Sequence, residues 1–277
     1  MNVDVAELER PVAFVFGGGA SSAAAQVGML RAAEEAGLEP DLVVGNSAGA
    51  LNGAVLADDP RSAVERLSRI WADCTRRTVL GETRLQRART LLRRQHLYAS
   101  NDLSVLFTRH ARARRFDELR LPFACVATDL DLGAAIVLRS GPLQTALLAT
   151  TSIPGVFPVV TRNGRRLCDG LCVANVPLRQ ALDLGARTLV VFDSRPQITA
   201  REEFRDVRET IAAAFATVLD HQLEVDLEFA RSRAGVICLP GRPAEPLKAF
   251  DFTRTDRLIS DAYEASRHYF DSSVRHS

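Results

Sequence analysis

The run Gly45-Asn46-Ser47-Ala48-Gly49 has the residue types and spacing of an activated nucleophile. It follows the apolar segment Asp41-Leu42-Val43-Val44 and leads into Ala50-Leu51-Asn52-Gly53-Ala54-Val55-Leu56. That context is strand, sharp turn, helix. A serine in such a turn has a strained backbone and an outward hydroxyl, and Gly45 and Gly49 leave room for the crowding. Ser47 is therefore the candidate nucleophile. Its hydroxyl needs a base within hydrogen-bond reach at neutral pH. The oxyanion formed on attack needs N–H donors already in position.

Gly17-Gly18-Gly19 is the source of donors. It ends the apolar run 12–16, and in a parallel sheet it would lie beside the end of the next strand, where Ser47 sits. Glycines let the backbone approach a substrate oxygen without a Cβ in the way. The competing reading is a nucleotide-phosphate loop. Ser22 stands where the dinucleotide fingerprint has its third glycine, and no Walker lysine follows. For the base, the histidines 96, 110, 221, 268 and 276 all fall in predicted helices or the tail. Asp169 is a carboxylate at a strand end, followed by Gly170. Burial raises a carboxylate pKa toward the working range of a general base. The alternative for Asp169-Gly170 is an ordinary turn.

The elements that must position these groups alternate. Apolar runs at 12–16 and 41–44 are each followed by helical spacing, at 23–36 and from Ser47 to about Ala57. Such an order predicts a parallel sheet with helices on both faces. Residues 60–115 read as helical, including an arginine-rich helix over 84–97. Strands return at 122–128 and 134–138 as a hairpin around Asp129, Asp131 and Gly133. A helix over 142–149, a rigid loop over 153–158, a strand over 165–168 and a helix over 177–184 come next. A strand at 188–192, a helix over 202–231, a strand at 236–239 and a closing helix over 253–270 complete the chain. A standard α/β-hydrolase needs several strands before its nucleophile, and here a single one precedes the strand that carries Ser47. One domain over 1–277 is expected, with a core of about 12–192, a helical insertion of about 60–115 and C-terminal elements over about 202–270.

Composition narrows the function classes. The chain has 277 residues, 47% of them hydrophobic, 25% charged, with a net charge of +1. That balance carries no nucleic-acid footprint. Lys248 is the single lysine, so positive charge is almost entirely arginine. The first ten residues are acidic without an apolar core, unlike a secretory leader, and no apolar stretch approaches the ~20 residues of a spanning helix. An odd number of cysteines, at 74, 125, 168, 172 and 238, is expected to be reduced and buried in a cytoplasmic protein. Cys168 and Cys172 are close, but with no histidine beside them no metal site is expected.

Taken in order, these motifs resemble those of the patatin-like phospholipases, serine lipid acyl hydrolases with a Ser–Asp dyad. The resemblance spans about Val12 to Phe192. It rests on Gly17-Gly18-Gly19-Ala20 with Gln26-Val27-Gly28-Met29-Leu30, on Gly45-Asn46-Ser47-Ala48-Gly49-Ala50-Leu51-Asn52, and on Ala127-Thr128-Asp129-Leu130. It continues through Ser152-Ile153-Pro154-Gly155-Val156-Phe157-Pro158, Asp169-Gly170-Leu171 and Val173-Ala174-Asn175-Val176-Pro177. Ser21 and Ser22 depart from the family's usual basic residue and glycine, and Leu171 from its usual small residue.

The resemblance implies a three-layer α/β/α fold with a mostly parallel central sheet. It implies cleavage of lipid or phospholipid carboxylic esters through an acyl-serine, without cofactor. Ser47 would attack, Asp169 would take its proton, and the amides of Gly17, Gly18 and Gly19 would hold the oxyanion. The expected partner is a lipid or acyl-ester substrate. Transient contact of the 84–97 helix with an anionic membrane surface stands beside its plainer reading as a solvated face. The departures at Ser21 and Ser22 keep two alternatives open: an acyltransferase using the same acyl-serine, or a catalytically weakened lipid-binding protein.

Overall fold

The computed structural model describes residues 5–80, 111–197, 206–245 and 247–274. The arginine-rich segment 84–97 and most of the expected helical insertion lie outside the described residues. So does the beginning of the helix expected from 202.

Among the described residues, eight strands form one sheet: β1 (Val12–Phe16), β2 (Leu42–Asn46), β3 (Phe123–Asp129), β4 (Ala134–Leu138), β5 (Val160–Arg162), β6 (Arg165–Asp169), β7 (Thr188–Phe192) and β8 (Gly235–Cys238). Their order is β5-β6-β3-β2-β1-β7-β8, with β4 also paired to β3. The pairs β1–β2, β1–β7, β2–β3 and β7–β8 are parallel, while those of β3 with β4 and β6, and of β5 with β6, are antiparallel. The helices are α1 (Ala25–Glu35), α2 (Ser47–Asp58), α3 (Ala63–Asp73), α4 (Arg76–Leu80), α5 (Leu143–Thr150), α6 (Leu178–Asp183), α7 (Val207–Arg231) and α8 (Thr255–Val274).

Alternation along the central strands divides the core in two. Phe14, Phe16, Val190 and Phe192 face one side, where they pack with Leu30, Leu51, Leu67 and Trp71 of α1, α2 and α3. Ala13, Val15, Leu189 and Val191 face the other, against Leu178 and Ala181 of α6 and Ala230 of α7. Strands covered on both faces read as continuous apolar runs, which is why the sequence shows them as such. The fold is α/β, three layers deep, around a mostly parallel sheet.

Helix α2 is buried along its whole length. Its Ala48, Gly49, Ala50, Gly53 and Ala54 are the small side chains that let a helix sink between a sheet and other helices. Helix α8 packs on α1 across Gly28, where an added Cβ would lie 2.0 Å from the Ile259 carbonyl oxygen.

Two findings differ from expectation. Strand β5 falls between the loop expected over 153–158 and the strand expected over 165–168, where no element was predicted. It pairs with β6 through a turn whose Asn163 and Gly164 both have positive φ, 51° and 77°. Cys74, Cys125 and Cys168 are buried as expected, but Cys172 and Cys238 are exposed. Cys172 lies in a short 3-10 turn past β6, and Cys238 ends β8, the edge strand.

Candidate active site

The register of β3 brings the two candidate residues together. Val126 pairs with Asn46 on one edge of β3 and with Val137 on the other. One residue later Ala127 pairs with Asp169 on the first edge and with Ile136 on the second. Strand β2 therefore stops at Asn46 and β6, running the opposite way, takes over the same edge at Asp169. The two strands meet end to end, and the residues that follow them, Ser47 and Gly170, turn away from the sheet at one point.

Ser47 opens α2 at φ 53°, a left-handed conformation rarely adopted by residues other than glycine. The surroundings hold it there. Its amide donates to Thr150 Oγ1 at 2.9 Å. An added Cβ at Gly45 would lie 2.6 Å from Ala50 Cα, and one at Gly49 would lie 2.4 Å from the Gly17 carbonyl oxygen. The turn can thus be tight only with glycine at both positions, as the sequence predicts. Gly170 is similarly confined, with Asn46 Oδ1 2.5 Å from where its Cβ would stand.

Ser47 Oγ donates a hydrogen bond of 2.6 Å to Asp169 Oδ2. Asp169 is fully buried, and its other oxygen, Oδ1, accepts from the Leu171 amide at 2.9 Å. Burial pushes the Asp169 carboxyl up from its ordinary 3.8 to about 7; the hydrogen bonds from Ser47, Leu171 and Asn46 pull in the opposite direction without overcoming it. Its main chain is held as well, with the amide donating to Ser152 O and the carbonyl accepting from Thr128 Oγ1.

The glycine-rich loop lies beside this pair, and the two engage differently from expectation. The Gly17 amide donates to Phe192 O at 3.1 Å and the Gly18 amide to Asn175 O at 3.0 Å. Those two amides hold the loop in place, so they are not available to a substrate oxygen. Gly19, which borders the cavity containing Ser47, donates to no protein acceptor among the described residues. The positive φ in this loop falls on Ala20, at 48°, and not on Ser22. Ser21 Oγ donates to Lys248 O and Ser22 Oγ to Gly19 O.

Several residues to which the sequence assigned no role fasten the site. Thr150 receives the Ser47 amide and lies against Asn46 Oδ1 and Val126 O. Asn175 ties the segment after Asp169 to the glycine loop, its Nδ2 donating to Gly18 O and its carbonyl accepting from Asn46 Nδ2. Gln26 donates to Gly17 O and Phe192 O, and accepts from Asn52 Nδ2; Asn52 in turn accepts from Trp71 Nε1. Thr150, Gln26 and Asn52 are fully buried, and a polar residue buried inside an apolar helix face is the signal that could have found them; Asn175, in a loop, carries no such signal.

Ser47 lies in a cavity of about 280 Å³ at the C-terminal ends of the parallel strands. Ile153, Leu171, Phe215, Leu219 and Leu247 make its walls largely apolar, and no histidine among the described residues lines it. A larger hollow of about 620 Å³, by Pro11, Leu42 and Phe123, opens at the opposite ends of the strands and contains neither Ser47 nor Asp169. In open α/β sheets ligands bind beyond the carboxyl ends of the strands, which favours the smaller cavity.

Comparison with known proteins finds relatives of this chain. The chain is 31% identical over 187 residues to the patatin-like phospholipase domain-containing protein ZK370.4 of Caenorhabditis elegans, covering 66% of this chain and 13% of that protein. It is 29% identical over 185 residues to patatin-like phospholipase domain-containing protein 6 of Homo sapiens, again 66% and 13%. The uncharacterized NTE family protein Mb1092c of Mycobacterium bovis is 29% identical over 217 residues, covering 73% of this chain and 57% of that one. The chain thus spans 13% of the length of the first of these relatives. Among solved structures, VipD from Legionella pneumophila aligns over 95% of this chain and 66% of that chain, with a TM-score of 0.49 and 12% identity. The sequence profile of the patatin-like phospholipases matches residues 14–182, more than half of the chain, and the protein belongs to that family.

Proposed function

We propose that this protein is a serine lipid acyl hydrolase that cleaves carboxylic esters through an acyl-Ser47 intermediate. The observation that carries this reading is the 2.6 Å hydrogen bond from Ser47 Oγ to a fully buried carboxylate, Asp169, in a member of the patatin-like phospholipase family. Ser47 Oγ attacks the ester carbonyl carbon as its proton passes to Asp169 Oδ2. The Gly19 amide, together with the positive end of α2, receives the negative charge that develops on the carbonyl oxygen. The carbon–oxygen bond to the alcohol then breaks, and the alcohol departs with the proton held by Asp169. Water attacks the acyl carbonyl carbon as its proton passes to Asp169; the bond to Ser47 Oγ then breaks, Oγ takes that proton back, and the free acid leaves with Ser47 and Asp169 restored.

The apolar walls of the cavity fit an acyl chain. The serines at 21 and 22 bond to main-chain oxygens and leave the Ser47–Asp169 contact intact, which favours a working site over a weakened one. Hydrolysis and transfer to an alcohol share the same acyl-Ser47, and product analysis with an added alcohol acceptor separates them; free acid alone excludes transfer. The direct test is turnover of p-nitrophenyl esters. We expect Ser47→Ala to remove activity to the background of buffer, and retention of wild-type turnover would overturn the assignment.

A further inference from the structure

Helix α7 runs from Val207 to Arg231, and its two halves have opposite characters. In the second half Leu223, Leu227 and Ala230 pack against the core behind the sheet. In the first half, where surfaces are described, no side chain from Val207 to Leu219 is buried. Yet that half is apolar: Val207 is 73% exposed, Ile211 64%, Phe215 43% and Val218 61%, and Val225 continues the row. The helical repeat of about 3.6 residues places all five on one face, with Ala214 beside them. A contiguous apolar stripe of this kind marks an interaction surface.

The stripe is also continuous with the candidate active site. Phe215 belongs to the stripe and borders the cavity that contains Ser47, and Leu219, one turn on, borders it too. Ser47 itself is buried, so an ester reaches it through this cavity, whose border Phe215 and Leu219 share with Leu247, Arg195 and Lys248. A surface that passes an acyl chain into an apolar cavity needs an apolar path to its border, and on the α7 side Phe215 and Leu219 supply one.

We propose that the outer face of the first half of α7 docks the protein onto a lipid surface, with Phe215 at the point where an acyl chain leaves that surface for the cavity. The inference deepens the hydrolase reading by stating how its substrate is presented: from an aggregated lipid phase and not from free solution. A helix of this kind lies in the plane of the interface with its apolar side among the acyl chains. Because the stripe carries no charge, docking depends on apolar burial and is insensitive to salt, unlike attraction to anionic head groups.

The test uses the Ser47→Ala protein, full chain, so that binding is read without turnover. Co-sedimentation with phosphatidylcholine vesicles is measured at low and high salt. The comparison is a variant that adds Val207→Ser, Ile211→Ser and Val218→Ser, none of which lines the cavity. We expect binding to be salt-independent and the triple change to weaken it at least tenfold. In the Ser47 background the triple change should leave hydrolysis of a monomeric, water-soluble ester unchanged. As a second reading, Val218→Trp should show a blue shift of emission on adding vesicles, against the one native tryptophan, the buried Trp71. Equal vesicle binding by parent and triple variant would overturn the proposal, as would binding to anionic vesicles alone. A wild-type dimer that the triple change dissociates would instead assign the stripe to a second copy of the chain and overturn lipid docking. Absence of esterase activity alongside intact, stripe-dependent vesicle binding would count against the hydrolase reading while leaving the docking surface standing.

Discussion

A fully buried carboxylate that accepts a hydroxyl proton sits between two demands. Ionised Asp169 is the form that can take the Ser47 proton, and burial disfavours that form, raising the pKa from 3.8 to about 7. For the proposed hydrolysis the expected consequence is a rate that rises with pH through about 7 and levels off above it, since the base must be deprotonated. For stability the sign is opposite. The folded state holds its proton more tightly than the unfolded chain, so stability is full below about pH 4 and declines as pH rises toward 7. Above that the loss amounts to about 4 kcal/mol, taking 1.36 kcal/mol for each tenfold change in proton affinity. Asp169→Asn should therefore abolish most turnover yet melt at a higher temperature than wild type at pH 8. That difference should shrink toward pH 5. Thermal unfolding across this range checks it, and a variant less stable than wild type at pH 8 would contradict it. Much of this residue-scale arrangement was legible in the sequence. Ser47 is marked by Gly45 and Gly49, and Asp169 by its place before Gly170 at a strand end. The occupation of the Gly17 and Gly18 amides was not legible, because their acceptors, Phe192 O and Asn175 O, come from segments more than 150 residues away.

At the scale of elements, the site is the meeting of two strand ends on one edge of β3. Neither β2 nor β6 encodes that meeting alone. Ser47 and Asp169 are 122 residues apart, and only the register of both strands on β3 brings them into contact. The strands other than β6, which opens on Arg165-Arg166, were readable as apolar runs, with boundaries within a residue or two. Strand β5 was not, since its three residues are half exposed and carry no alternation long enough to count. Its turn signal, Asn163-Gly164, is the one local cue. The closeness of β1 and α2 gives an element-scale prediction. Gly49→Ala would push a methyl to 2.4 Å from the Gly17 carbonyl oxygen, so α2 or the glycine loop must shift. We expect a loss of about 2 kcal/mol in urea unfolding, in the ordinary range for overpacking. We also expect a fall in turnover larger than the fall in stability alone would cause, because the Gly19 amide moves with the loop. Unchanged turnover would place that amide outside the reaction.

The whole molecule extends past the segment that matches the family profile. Residues 14–182 contain the strands that carry Ser47 and Asp169. Strand β7, which pairs with the other side of β1, lies beyond them, as do β8 and α8. Leu258, Ala262 and Phe270 of α8 belong to the same apolar cluster as Met29 and Leu30 of α1. A chain ending at Phe192 would leave β7 as a bare edge strand and uncover that face of α1. We expect it to lack a cooperative thermal transition, so a soluble fragment with a sharp melt would show that the N-terminal part stands alone. The sequence showed these C-terminal elements by their periodicity. It could not show that α8 returns to α1, a contact that depends on Gly28 admitting the Ile259 carbonyl.

The most direct test of the Ser47–Asp169 pair is covalent labelling by a fluorophosphonate, with the adduct located by peptide mass spectrometry. We expect a single adduct on the peptide containing Ser47, formed faster as pH rises through about 7. In Asp169→Asn its formation should be slower by at least about 100-fold, the lower end of the usual contribution of a general base. An adduct on a different residue, or labelling of Asp169→Asn at the wild-type rate, would contradict the pairing of this hydroxyl with this carboxylate.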